Sequence, residues 1–229
     1  VPGGGNGRLQ DVGGELERLL ELAVAGDPVL RDGRHDRAVA HRDAEIVEVP
    51  PEDEALERLV GERRDVVVRG HELHPEALAR QISERTGMSL GSLETRRFPD
   101  GESYVRLLTE VSGGTVHIVS TLADPDPGFL ALVFAADAAR AQGAGRVNLI
   151  APYLAYMRQD KAFHTGEAVS SRSFARLVSS TFDGLVTVDP HLHRYLSLSY
   201  LYGIPGATLH AGAVLADWIA DNVDKPVLI

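Results

Sequence analysis

Residues 65–87 read DVVVRGHELHPEALARQISERTG, and this stretch decides the fold. DVVVRG is a continuous, valine-rich apolar run too short for a helix, the pattern of a strand buried on both faces. HPEALARQISERTG has Pro75 near its start and Gly87 at its end, which predicts a helix over 74–87. An apolar run followed by a helix is the unit of a parallel sheet covered by helices, and it repeats downstream. TVHIVS (115–120) precedes an alanine-rich helix from Gly128 to about Gln142. RVNLI (146–150) precedes the helix SRSFARLVSST, and GLVTV (184–188) precedes ATLHAGAVLADWIADN, read as a short strand and a helix. KPVLI (225–229) opens another strand, so the set of elements is expected to be incomplete. The predicted class is α/β, a doubly wound and mainly parallel sheet.

One interruption breaks the alternation. LETRRF and SYVRLL flank PDGE and alternate apolar with polar residues, which predicts a hairpin. Pro99 fixes φ at the bend and Gly101 permits a positive one. Asp100 and Glu102 stand at its tip, where two carboxylates either serve only the turn or hold a ligand.

Residues 1–64 differ from the rest. All thirteen aromatic residues lie beyond position 64, while the first 64 carry 15 acidic and 9 basic side chains. Residues 11–27 and 50–62 have helical apolar periodicity and EIVEV is strand-like, but no chemistry is legible there. The expectation is an appended mixed segment, 1–64, and a main domain, 65–229.

The net charge of −10 argues against binding nucleic acid through phosphate neutralisation. With no cysteine there is neither a disulfide framework nor a thiolate metal site. No apolar run has membrane length and nothing resembles a signal peptide, so the expected location is the cytoplasm.

Open parallel sheets bind ligands outside the carboxyl ends of their strands. Three successive loops qualify: TLADPDP, APYLAYMRQDKAFHTGEAVSS and DPHLHR. Arg158, Gln159, Asp160 and Lys161 stand together in a chain with only two lysines. A guanidinium and an ammonium beside aromatic residues suit a polyphosphate and a purine, although a solvated loop explains the charges equally well. Asp189, His191 and His193 offer an oxygen and two imidazoles, too few for a closed zinc site but adequate for Mg2+ carried on phosphates and water. Walker, dinucleotide-binding and nucleophile-elbow patterns are absent. Ser170 and Ser171 are expected to cap the helix they open. Phe174 and Trp218 are expected in the core, and His117 and His210 as ordinary sheet residues.

The succession RRFPDGESYVR, APYLAYMRQDKAF, GEAVSSRSFARLVSS and TVDPHLHR resembles the ribose-phosphate diphosphokinase family, the phosphoribosyl pyrophosphate synthetases, over residues 65–229. The resemblance implies phosphoribosyltransferase-like halves, of which this chain carries the N-terminal one. It also implies transfer of diphosphate from Mg-ATP to the 1-hydroxyl of ribose 5-phosphate, giving phosphoribosyl diphosphate and AMP. By the same resemblance, Phe98, Asp100, Gly101 and Glu102 form a hairpin loop reaching the adenine of an ATP bound mainly by a neighbouring subunit, in a homo-oligomer. Arg158, Gln159 and Asp160 lie against the nucleotide, Lys161 and His191 serve catalysis, and Asp189 and His191 face Mg2+. Pro190 stands where many members have Leu. Because the second half is not in the sequence, the chain alone is expected not to turn over. Two other readings stay open: a catalytically silent regulatory relative, and a generic α/β nucleotide-binding module.

Overall fold

The computed structural model describes residues 65–69 and 76–227; the elements expected within 1–64 lie outside the described residues. Six strands form one wholly parallel sheet, β1 (Val66–Arg69), β2 (Ser89–Gly91), β5 (Thr115–Val119), β6 (Arg146–Ala151), β7 (Gly184–Val188) and β8 (Gly206–Leu209), in the order β2-β1-β5-β6-β7-β8. The chain steps outward from β1 to β2, then reverses and adds β5 to β8 on the other side of β1. Strands β3 (Leu93–Arg97) and β4 (Ser103–Leu107) pair antiparallel as a separate hairpin. Among the described residues the α-helices are α1 (Glu76–Thr86), α2 (Pro125–Ala141), α3 (Ser170–Thr181) and α4 (Gly212–Asn222).

Strand periodicity sorts the core into two layers. Val66, Val68, Val116, Ile118, Val147, Leu149 and Leu185 pack with Ala135, Ala136 and Ala139 of α2 and Phe174 and Val178 of α3. Val67, Val119, Ile150 and Val186 face the other way, with Leu78, Ala79 and Ile82 of α1. Opposite placement of α1 and of α2 with α3 follows from the reversal of strand order, because right-handed crossovers running in opposite directions lie on opposite faces.

The hairpin rests on the α2 side. Leu93 and Leu107 are buried there, and the Arg97 guanidinium donates to the Pro127 carbonyl at 2.9 Å. Helix α2 begins three residues before the predicted Gly128, since Pro125 occupies the first turn, where a missing N–H leaves no bond unmade. Strand β2 was not anticipated. Its three residues are too few to show a period, and Gly91 lets it lie close to β1: a Cβ there would stand 2.6 Å from Val66 Cγ1.

One of the two core expectations holds and one is corrected, and so is part of an expected strand. Phe174 is buried, but Trp218 is 39% exposed, on a face of α4 that also exposes Leu215 and Ile219. Residues 225–227 carry no strand, and Leu228 and Ile229 lie outside the described residues.

Asp65 enters β1 with its carboxylate buried. It accepts from the Thr115 amide at 3.1 Å and lies 3.5 Å from His117 Nε2, a long contact between two buried side chains. Desolvation by burial pushes its pKa up, yet the His117 contact and the Thr115 amide together outweigh it, so the carboxyl titrates below its ordinary 3.8. A lowered folded value stabilises the fold above the unfolded one, and that contribution disappears as pH falls through the folded value. Chemical denaturation at pH steps down to about 3 is expected to show a shallower acid-side loss of stability in Asp65→Asn than in the unaltered chain.

Candidate nucleotide-binding site

Because every sheet strand runs the same way, the loops after β5, β6, β7 and β8 emerge along one edge in that spatial order. They are also bonded to one another. The Leu122 amide donates to the Tyr153 carbonyl at 3.2 Å, and the Asp189 amide to the Leu209 carbonyl at 2.9 Å. The Tyr156 hydroxyl donates to Asp126, at the start of α2. Tyr156 (φ 60°) and Asp189 (φ 39°) both have left-handed backbone, uncommon for residues other than glycine. Such conformations persist where the surroundings fix them and cluster at ligand sites.

The four residues 158–161 divide by burial. Arg158 and Lys161 are exposed, Lys161 with Nζ 5.1 Å from the Phe163 ring centroid. Asp160 is buried, and its Oδ1 accepts from Arg194 Nε at 3.0 Å. That carboxylate fastens the β6 loop to the β7 loop, which gives Asp160 a positioning place rather than an open ligand position. Arg194→Ala leaves a buried carboxylate without its donor. Denaturant titration is expected to show a loss of about 1–3 kcal/mol, toward the lower end because Arg194 is half exposed.

Gln159 is also engaged. Its Oε1 accepts from Ser170 Oγ at 2.5 Å, and its backbone carbonyl accepts from the Ser171 amide at 3.3 Å. The expected serine caps are thereby corrected: Val169 is the N-cap residue, Ser170 is turned to Gln159, and Ser171 is buried inside the first turn. A tertiary acceptor has taken the Ser170 hydroxyl in place of a local amide donor.

In the β7 loop the His191 and His193 rings meet edge-on, 4.1 Å apart. Asp189 accepts from the Ala211 amide at 3.0 Å with Oδ2, and its Oδ1 lies 2.9 Å from His210 Nδ1. His210 therefore stands just past β8 as a partner of Asp189, and the expectation of an ordinary sheet residue is corrected. His117 does lie within β5. No three His, Asp or Glu residues among those described gather to hold a metal ion by themselves. With Asp189 already engaged, the donor set fits an ion that brings most of its ligands with it, as Mg2+ does on phosphates and water.

The hairpin tip is a turn closed on itself. The Phe98 amide donates to the Glu102 carbonyl at 2.8 Å, and the Gly101 amide to the Phe98 carbonyl at 2.9 Å. Gly101 has φ 93°, and Asp100 Oδ1 accepts from the Glu102 amide at 3.2 Å. Asp100 thus serves the bend, while Phe98 and the Glu102 carboxylate are exposed. Sequence reasoning missed Arg96, whose guanidinium carbon lies 4.5 Å from the Phe98 centroid and 4.3 Å from that of Tyr104. The two-residue period of the strands was the signal that could have found it.

Comparison with known proteins bears on the family and the fold. Residues 67–181 match the model of the N-terminal domain of ribose phosphate pyrophosphokinase. The ribose-phosphate pyrophosphokinase of Methanopyrus kandleri is 39% identical over 153 residues, covering 66% of this chain and 51% of that protein. That of Methanobrevibacter smithii is 33% identical over 153 residues, covering 66% and 50%. The crystal structure of phosphoribosylpyrophosphate synthetase from Mycobacterium smegmatis superimposes with a TM-score of 0.61 at 25% identity, covering 69% of this chain and 52% of that one. The chain spans about half the length of the curated relatives it matches. With a family model matched across half its length and the parallel sheet that goes with it, this chain belongs to the ribose-phosphate pyrophosphokinase family.

Proposed function

We propose that the chain is the ATP-binding half of a ribose-phosphate diphosphokinase, an enzyme transferring diphosphate from Mg-ATP to the 1-hydroxyl of ribose 5-phosphate. The observation that carries this reading is the adjacency, on one sheet edge, of the loops bearing Arg158, Lys161 and His191. Diphosphoryl transfer asks little covalent chemistry of a protein; it needs the nucleotide held in line and cations against its charge. Arg158 takes phosphate oxygens through its forked donors, and Lys161 adds a second cation on the same loop. His191 and Asp189 face the hydration shell of Mg2+, which when bound shields phosphate charge. Phe98 and Glu102 receive the adenine, the ring by stacking and the carboxylate by accepting its amino protons.

The test is one set of samples containing the purified chain, Mg-ATP and ribose 5-phosphate, with binding and AMP followed together. Saturable Mg-ATP binding without sugar-dependent AMP is expected of this chain by itself. Absence of binding would return it to a generic α/β module, and sugar-dependent AMP would mean the sugar site is supplied within these 229 residues.

In the same reading the exposed hairpin completes the site of a second copy in a homo-oligomer. Complementation checks this. Mixing Phe98→Ala with Arg158→Ala subunits is expected to recover ATP affinity that each variant alone has lost in part, because a mixed pair rebuilds one intact site. Strictly additive binding would place both residues in one subunit's site.

A further inference from the structure

The hairpin has an outer face that the turn alone does not explain. Leu93 and Leu107 are buried against the core and Arg97 is tied to Pro127, so the alternate residues Arg96, Phe98 and Tyr104 point outward. Arg96 and Tyr104 are direct cross-strand partners, and the Phe98 and Tyr104 rings stand at 89° with centroids 6.1 Å apart. The guanidinium of Arg96 fills the corner between these perpendicular rings, its carbon 4.5 Å from one centroid and 4.3 Å from the other. Phe98 is 38% exposed at the end of a two-stranded projection, where an unsupported ring would turn freely.

Resting on the nucleotide reading above, we infer that Arg96, braced by Tyr104, is a positioning residue that holds the Phe98 ring for stacking on the nucleobase. One face of the ring is backed by the cation and the other is left to the ligand. Arg suits the task better than Lys, since its broad, weakly hydrated head can meet one ring while still reaching the other. The effect is on the base and not on the phosphates, which separates it from an ordinary basic residue near a polyanion.

The experiment titrates the full chain and its Arg96→Ala, Arg96→Lys and Phe98→Ala variants with ATP and with adenosine. A fluorine-labelled phenylalanine at position 98 reports ring order in the unliganded protein. Arg96→Ala is expected to weaken both ligands equally, by about two- to fivefold, and to narrow the fluorine line toward that of a mobile ring. Arg96→Lys is expected to fall between. A loss confined to ATP would overturn the inference, because Arg96 would then be bonding phosphate. So would unchanged affinity in Arg96→Ala alongside weakened binding in Phe98→Ala. If Phe98→Ala binds both ligands normally, or the unaltered chain binds neither, the site reading itself fails and takes the inference with it.

Discussion

Arg158→Ala is expected to weaken Mg-ATP binding about 10- to 100-fold, the range for losing a charge-assisted, forked contact to phosphate. Arg158 is exposed and has no hydrogen bond or ion pair among the described residues, so nothing in the fold accounts for its placement. Its removal should therefore leave the denaturation midpoint nearly unchanged, within about 0.5 kcal/mol of stability. Calorimetric titration and chemical denaturation on the same preparation check both halves of the expectation. A variant that bound normally would remove the phosphate contact from the account, and one that bound poorly only because it had unfolded would show it in the midpoint.

Phe174→Ala is expected to act in the opposite order, on the fold first. The ring is buried in the layer shared by α2 and α3, with centroids 5.0 Å from Phe129 and 4.8 Å from Tyr156. Truncating such a ring removes its transfer energy and leaves a cavity, for about 3–5 kcal/mol. That is a large share of a typical domain's stability. The site is coupled to this position. Tyr156 holds a left-handed backbone two residues before Arg158, supported on one side by Phe174 and on the other by its hydroxyl bond to Asp126. Loss of ATP affinity at a temperature where the variant remains folded would show that the packing also aims the loop. Phe174→Leu, which keeps most of the volume, should restore much of the stability but not the ring contact.

The sheet was legible because its strands are buried on both faces. DVVVRG, TVHIVS, RVNLI and GLVTV read as apolar runs for the reason that makes them β1, β5, β6 and β7. The hairpin was legible from its two-residue period and from Pro-Asp-Gly. What escaped was decided by tertiary partners. Nothing near Ser170 in sequence shows that Gln159 would take its hydroxyl, and nothing near Asp160 shows that Arg194 would cover it. Trp218 fits an apolar helical face in sequence, and only packing shows that face to be exposed. Of the candidate site, the loops were legible from strand polarity and the resemblance. The division of labour within them was not. Asp100 serves the turn, Asp160 the join between loops, and Asp189 the seat of His210, while Phe98, Glu102, Arg158 and Lys161 are left facing outward.

The central claim is that one sheet edge and the hairpin tip together receive an adenine nucleotide. Hydrogen–deuterium exchange of the purified chain with and without saturating Mg-ATP tests it most directly. Protection confined to the segments around 98–102, 156–161 and 189–193 is the expected result. Protection elsewhere, or an exchange pattern that Mg-ATP leaves unchanged, would contradict the account.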